Sequence, residues 1–366
     1  MTELLPERAT TPPGAAVRIE VRGADGAPGH VRVLRLGELV RELPHDGGPW
    51  VEIGLLPEGG YGVELVRGGG LVARTAVEVA ADARHRLRYG FVAAYPPGAD
   101  ATGLADTVRR LHLTGVQFYD WAYRHAELLG GGEEYLDALG QPVSLDTVRR
   151  YVAAVRERGA DPLGYAAVYA VGPAEWPRWE HDALLDAGGA PYALGDFLFI
   201  VDPASADWLA HLRAELAASV AEVGFAGFHL DQYGYPKRGE RADGAIVDIA
   251  ESFATMIEGV REELPDARLV FNQVNDFPTW RTAASPQDAV YIEPWEPQTT
   301  LGALAATATR ARLLGGERPV VLAAYQHVYD AAPADAADRA TRLTMATLFS
   351  HGATQLLAGE ADRILV

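Results

Sequence analysis

A chain of 366 residues, 48% of them apolar, is long enough for two domains or for one large barrel with an appendage. Its net charge of -18 excludes nucleic acid and anionic membrane as natural partners, while a neutral substrate such as a sugar is not repelled. The absence of cysteine removes disulfides, thiolate nucleophiles, iron–sulfur clusters and Cys-zinc sites from consideration.

The opening residues, Met1–Arg8, show no basic region followed by an apolar one, so the chain reads as cytoplasmic or as an exported protein with its signal removed. No apolar run is long enough for a membrane span. Residues 1–14 are rich in Pro and Thr and are expected to be a flexible N-terminus. From 15 to 84 short alternating runs follow one another: Val17–Val21, Val31–Leu36, Trp50–Leu55, Gly62–Val66 and Val72–Val79. Period-two alternation broken by Gly-rich turns such as Gly68–Gly70 predicts an antiparallel, immunoglobulin-like β-sandwich. It holds no cluster of carboxylates or metal ligands, which fits a structural or docking module.

From 85 to 366 strand-like apolar runs alternate with helical patterns, the signature of βα units and a parallel sheet. Strands are predicted at Tyr89–Tyr95, Gly115–Trp121, Leu163–Tyr169, Gly224–Asp231, Arg268–Gln273, Ala289–Pro294, Pro319–Tyr325 and Ala353–Ala358. Helices are predicted at Thr102–Leu113, Leu145–Arg158, Ala206–Val223, Ile249–Leu264, Leu301–Leu314 and Ala336–Ser350. Ser144 is placed to cap the second of these, with Asp146 in its first turn. Eight such units make a (β/α)8 barrel. The sequence stops soon after the eighth strand, so the barrel is expected to lack its last helix. The long loop from Gly172 to Asp202, with Trp176 and Trp179, is expected to be functional.

Parallel barrels carry their chemistry at the C-terminal ends of the strands. The run Phe225–Gly234 begins apolar and ends in His229, Asp231 and Gln232, with His229 and Asp231 on one face. The other strand ends are similar in kind: Tyr119, Asp120 and Trp121 with Arg124 and His125 beyond; Tyr165 and Tyr169; Asn272, Gln273 and Asn275; Tyr291, Glu293 and Trp295; Tyr325, Gln326 and His327. Any one aromatic could be core packing. Together, aromatics mixed with carboxylates and amides suit a sugar, whose C–H face stacks on rings while its hydroxyls take the polar groups.

Glycoside hydrolysis needs two carboxyls flanking the scissile bond, and Asp231 and Glu293 are the best pair. Aromatic neighbours should partly desolvate Glu293 and keep it protonated as the acid, and polar neighbours should leave Asp231 ionised as the nucleophile. Asp120 competes, and is read instead as a partner of a hydroxyl or of Arg124. Glu296 and Glu360 are read as loop residues. A metal site built on His229 and Asp231, joined by His125 and His327, is weighed and set aside for want of a second ligand-rich strand end. No cofactor is called for. Gly68–Gly70 and Gly130–Gly132 do not lie between a strand and a helix as a phosphate loop does.

Several stretches in this order resemble glycoside hydrolase family 66, the dextranase family: Gln117–His125, Ser144–Val152, Asp202–Trp208, Phe225–Gly234, Phe271–Asn275, Tyr291–Trp295 and Val321–Tyr325. The resemblance implies an immunoglobulin-like domain before the barrel, with Asp231 as nucleophile and Glu293 as acid/base. It also implies retaining action on α-1,6-glucan, either by endo-hydrolysis of dextran or by formation of cyclic isomaltooligosaccharides. Cyclising members carry a carbohydrate-binding insert after the seventh strand. The short stretch between Tyr325 and Ala353 leaves no room for one, which favours hydrolysis. The ending His229-Leu-Asp-Gln-Tyr-Gly234 is a variant of the family's, so linkage specificity can differ. The rival readings are a cyclising or transferring glucanotransferase, a non-catalytic α-glucan-binding relative, and a metal-dependent hydrolase.

Overall fold

The computed structural model describes residues 2–23, 26–298, 300–325 and 333–357. Its N-terminal part is two antiparallel sheets, one of Glu3–Pro6, Val17–Arg22 and Trp50–Gly54, the other of Gly29–Arg35, Glu38–His45, Gly59–Arg67 and Gly70–Val79. The inward residues of both sheets, among them Ile19, Val21, Val33, Ile53, Val63 and Val77, form one apolar core. This is what alternation with one buried face per sheet demands.

Two strands escape the sequence reading. Glu38–His45 follows Gly29–Arg35 through a turn at Leu36 and Gly37, both at positive φ, and pairs with it antiparallel, with a register shift between Val33 and Leu34. The opening segment, expected to be a flexible N-terminus, contains a paired strand: Glu3–Pro6 pairs with Val17–Arg22, and Leu4 and Leu5 are buried. Polar groups of the first barrel helix hold it there. Arg109 is buried and donates to the carbonyl of Pro6 at 2.7 Å and to Glu20 at 2.6 Å, while Arg110 pairs with Glu3. Arg22 pairs with Asp106 on the same helix. These partners lie far from residues 3–6 in sequence, so composition near the terminus carries no trace of them.

The second part is an eight-stranded parallel sheet, ordered as in the sequence: Tyr89–Val92, Gly115–Phe118, Asp161–Ala167, Gly227–Asp231, Arg268–Asn272, Ala289–Ile292, Val320–Leu322 and Thr354–Gln355. Leu357 donates to the carbonyl of Tyr89 and accepts from the amide of Phe91, which brings the last strand back to the first. Helices Thr102–Arg110, Leu145–Glu157, Ala206–Val223, Ile249–Glu263, Leu301–Gly315 and Ala334–Ser350 cover the outside. Outward residues such as Phe118, Phe228, Leu230 and Phe271 pack beneath the helices, while Tyr89, Leu163, Val270, Tyr291 and Val321 fill the interior. The expected absence of a last helix concerns residues after Leu357, which lie outside the described residues.

The strands close tightly at the lower end. A Cβ on Gly227 would lie 1.9 Å from the carbonyl oxygen of Arg268, so only glycine lets the fourth and fifth strands meet there. Arg268 is fully buried and bonds Asp161 at 2.7 Å. Ser144 caps its helix as expected, accepting from the amide of Thr147.

Candidate active site

Inward-facing residues at the C-terminal ends of the strands surround a cleft of about 820 Å³. The fourth, fifth and sixth strands supply Asp231, Asn272 and Glu293, side by side because these strands are neighbours in the sheet and all three residues are on inward positions. Asp231 accepts from Tyr165 Oη at 2.8 Å on Oδ2 and from Asn272 Nδ2 at 2.7 Å on Oδ1. The same Asn272 Nδ2 donates to Glu293 Oε2 at 2.9 Å. Arms of 2.7 and 2.9 Å from a single nitrogen hold those two carboxylate oxygens within 5.6 Å of each other.

Burial pushes the Asp231 carboxyl up to about 7, and the charge of Glu293 adds to the rise, against the hydrogen bonds from Asn272, Tyr165 and the Gln232 backbone. Glu293 is also raised, again first by burial, while Asn272, Trp295 and Tyr325 direct donors at it. The expectation that polar neighbours alone leave Asp231 fully ionised is therefore corrected. Two buried carboxyls this close cannot both carry charge freely, so ionising one raises the cost of ionising the other.

Tyr119, Asp120, Tyr165, His229, Gln232, Asn275, Trp295 and Tyr325 also line the cleft. Trp295 and Tyr325 are about half exposed, with ring centroids 5.3 Å apart, and form an aromatic ledge beside Glu293. On the opposite wall Tyr119 meets Tyr165 edge-on at 4.8 Å. Asp120 takes a left-handed backbone, φ 47°, and burial raises its carboxyl to about 7. His229 lies under Asp231, with Nδ1 3.2 Å from Tyr89 Oη, and burial lowers it to about 3, so it is neutral. Among the described residues no group of three or more His, Asp or Glu could hold a metal ion; Gln326, His327 and Glu360 lie outside them.

Some predicted binders do other work. Gln232 donates to the carbonyls of Asn272 and Phe277 and accepts from the amide of Gly234, so its side chain staples backbone. Asn275 accepts from the amide of Trp295 and shapes that loop. Tyr169 lies outside the cleft lining: its hydroxyl donates to the carbonyl of Tyr235 and accepts from the amide of Tyr233. Arg124 and His125 line a smaller cavity behind the cleft, and Arg124 lies over the ring of Tyr123 instead of pairing with Asp120.

Trp121 is fully buried, donates to the carbonyl of Tyr165 and packs on Phe225. Beyond Tyr119 the chain turns at Asp120, strand alternation ends, and Trp121 swings behind the barrel wall. Trp121→Ala should therefore cost about 3–5 kcal/mol of stability, read by denaturant melts, with KM unchanged.

The long loop contributes Leu194 to the cleft, but Trp176 stacks on Phe199 and Trp179 packs on Trp208, so both tryptophans are structural. Leu139 and Gln141 reach the cleft from the hairpin of Glu134–Leu136 and Pro142–Ser144. Sequence gives no signal for these hairpin residues. Tyr233 also lines the cleft, and its place just beyond the fourth strand was legible in the sequence, yet it was not marked as a site residue.

The family model described as glycosyl hydrolase family 66 matches residues 58–366. A cycloisomaltooligosaccharide glucanotransferase of Niallia circulans is 25% identical over 341 residues, 83% of this chain and 35% of that protein, and a second from the same organism is 24% identical over 73% of this chain. The chain thus spans about a third of the length of these curated relatives. Among solved structures, a Paenibacillus cycloisomaltooligosaccharide glucanotransferase complexed with cycloisomaltoheptaose shares the fold over 90% of this chain and 54% of its own, with TM-score 0.77 and 20% identity. A maltogenic α-amylase from Thermotoga neapolitana aligns over 76% of this chain and 68% of its own with TM-score 0.50 and 12% identity. With the family model spanning the whole barrel and two carboxyls meeting at its mouth, this chain belongs to glycosyl hydrolase family 66.

Proposed function

We propose that the chain is a retaining, endo-acting hydrolase of α-1,6-linked glucans, with Asp231 as nucleophile and Glu293 as acid/base. The observation that carries this reading is the shared Asn272 nitrogen, which keeps the two carboxylate oxygens within 5.6 Å given its 2.7 and 2.9 Å contacts. Retaining glycosidases hold their carboxyls about 5–5.5 Å apart, whereas inverting ones need about 6.5–9.5 Å to admit a water. In the first step Asp231 attacks the anomeric carbon as Glu293 gives its proton to the departing glycosidic oxygen. A glycosyl ester forms on Asp231. In the second step Glu293 takes a proton from water, the water oxygen attacks the anomeric carbon, and the ester bond breaks.

Trp295 and Tyr325 offer a stacking ledge for the glucose on the leaving side, and Tyr119 and Asp120 offer hydroxyl contacts across the cleft. The isomaltooligosaccharide class is supported by the family and by the cyclic ligand of the structurally similar glucanotransferase. We read the two-sheet part as an immunoglobulin-like domain ending near residue 84, with the barrel from 85 onward.

A second reading, transfer or cyclisation, is favoured by the names of the curated relatives. Against it, helix Ala334–Ser350 fills most of the stretch between the seventh and eighth strands. A panel of α-1,3-, α-1,4- and α-1,6-glucans, with the first anomer released read by NMR, decides between them. Linear products from dextran that appear first as the α-anomer are expected. Cyclic products would move the assignment to the second reading, and the β-anomer would remove double displacement altogether.

A further inference from the structure

We propose that Asn272 is the positioning residue of the carboxyl pair: its one nitrogen donates to both Asp231 and Glu293, holding their facing oxygens as acceptors and favouring the charged form of each. This rests on the reading of Asp231 and Glu293 as a catalytic pair and goes beyond it, since sequence alone suggests only a sugar-binding amide.

The carboxamide nitrogen carries two hydrogens, and the structure places one carboxylate oxygen at 2.7 Å and another at 2.9 Å from it. Each hydrogen is directed to a different residue, so both contacted oxygens act as acceptors. Asp231 then accepts on both of its oxygens, from Asn272 on Oδ1 and from Tyr165 on Oδ2, which favours its charged form. Glu293 accepts from Asn272 on Oε2, and Trp295 and Tyr325 also direct donors at it, so hydrogen bonding favours its charged form as well.

The amide cannot work the other way round. Turning it over would set Asn272 Oδ1 against two carboxylates. As it stands, that Oδ1 is buried with no partner among the described residues, an unfavourable arrangement held by contacts elsewhere. One of them is Gln232, which donates to the Asn272 carbonyl at 3.1 Å and ties the ends of the fourth and fifth strands together. The device therefore has three layers: a glutamine staple fixes the strand end, the strand end fixes the amide, and the amide fixes the two carboxyls against each other.

Because Asn272 donates to both carboxyls, its loss raises the pKa of each. The ascending limb of the pH–activity profile, set by ionisation of the nucleophile, and the descending limb, set by deprotonation of the acid, should move the same way. In Asn272→Ala both limbs are expected to shift to higher pH by about one unit. Titration of 13C-labelled Asp and Glu carboxyls by NMR in the free protein should show the same two rises, with no substrate present.

Asn272→Asp, with a third carboxyl between the other two, is expected to lose activity at neutral pH and regain part of it as pH falls, because a protonated Asp again donates to one neighbour. If Asn272→Ala does not fold, Asn272→Ser supplies a single donor and should shift the two carboxyls by a smaller amount in the same direction. Unmoved carboxyls accompanied only by a raised KM would overturn the proposal and return Asn272 to sugar binding. The NMR titration stands whatever the substrate, so failure of the Asn272 role is separable from failure of the glycosidase reading.

Discussion

Asp231→Asn is expected to reduce turnover of isomaltooligosaccharides by about 10⁴–10⁶-fold while leaving the protein folded. An amide has no charged oxygen with which to form a glycosyl ester, so double displacement loses its first bond. The fold should survive because the hydrogen-bonding can be rearranged. The carbonyl oxygen of the introduced amide can accept from Asn272, and its nitrogen can donate to the hydroxyl of Tyr165, which acts as donor or acceptor. Stability also carries a sign. Asp231 has its carboxyl raised from 3.8 to about 7 in the folded chain, so the folded state holds its proton more tightly than the unfolded one. That contribution is complete below about pH 4 and is lost as pH rises through 7. The substitution removes the dependence, so at pH 8 the variant's Tm should equal or exceed that of the parent chain. Activity within tenfold of the parent would end the nucleophile assignment.

Glu293→Gln should act differently on different substrates. With dextran, loss of the acid slows the first step by about 10²–10⁴-fold. With an α-glucosyl fluoride or an activated aryl α-glycoside the leaving group departs without a proton, so the first step proceeds and the second, now without a base, becomes limiting. A burst followed by slow turnover is expected, and added azide should restore turnover by giving an α-glycosyl azide. The pH profile supplies an independent reading. The parent's activity falls at high pH as the raised Glu293 proton is lost, and a glutamine cannot lose one, so the descending limb should vanish. Persistence of that limb would mean that another group, with Asp120 the first to examine, is the acid.

Both expectations depend on a carboxyl pair that the sequence made partly visible. Side-chain alternation is a local property of a strand, and in a parallel barrel the inward positions at the C-terminal ends converge. Tyr119, Tyr165, His229, Asp231, Asn272, Glu293 and Tyr325 were all legible on that ground, and all line the cleft. The rule lapses where the strand does. Trp121, Arg124, His125 and Tyr169 are near the right ends in sequence, but the chain has already turned, and each side chain is spent on packing or on backbone hydrogen bonds.

The alternation of strands and helices, the two-sheet pattern ahead of it and the inward phase of the strands that line the cleft were thus written in the sequence, because each depends on periodicities of two and 3.6 that neighbouring residues carry. Three things were decided by the tertiary structure alone. The N-terminal segment is ordered by Arg109 and Arg110 of the first barrel helix. The Asp231 proton affinity is set by collective burial, which no neighbour in sequence reports. Asn272 becomes a bridge between two carboxyls because three adjacent strands bring their ends to one point, and a distance between strands is not a property of any one of them.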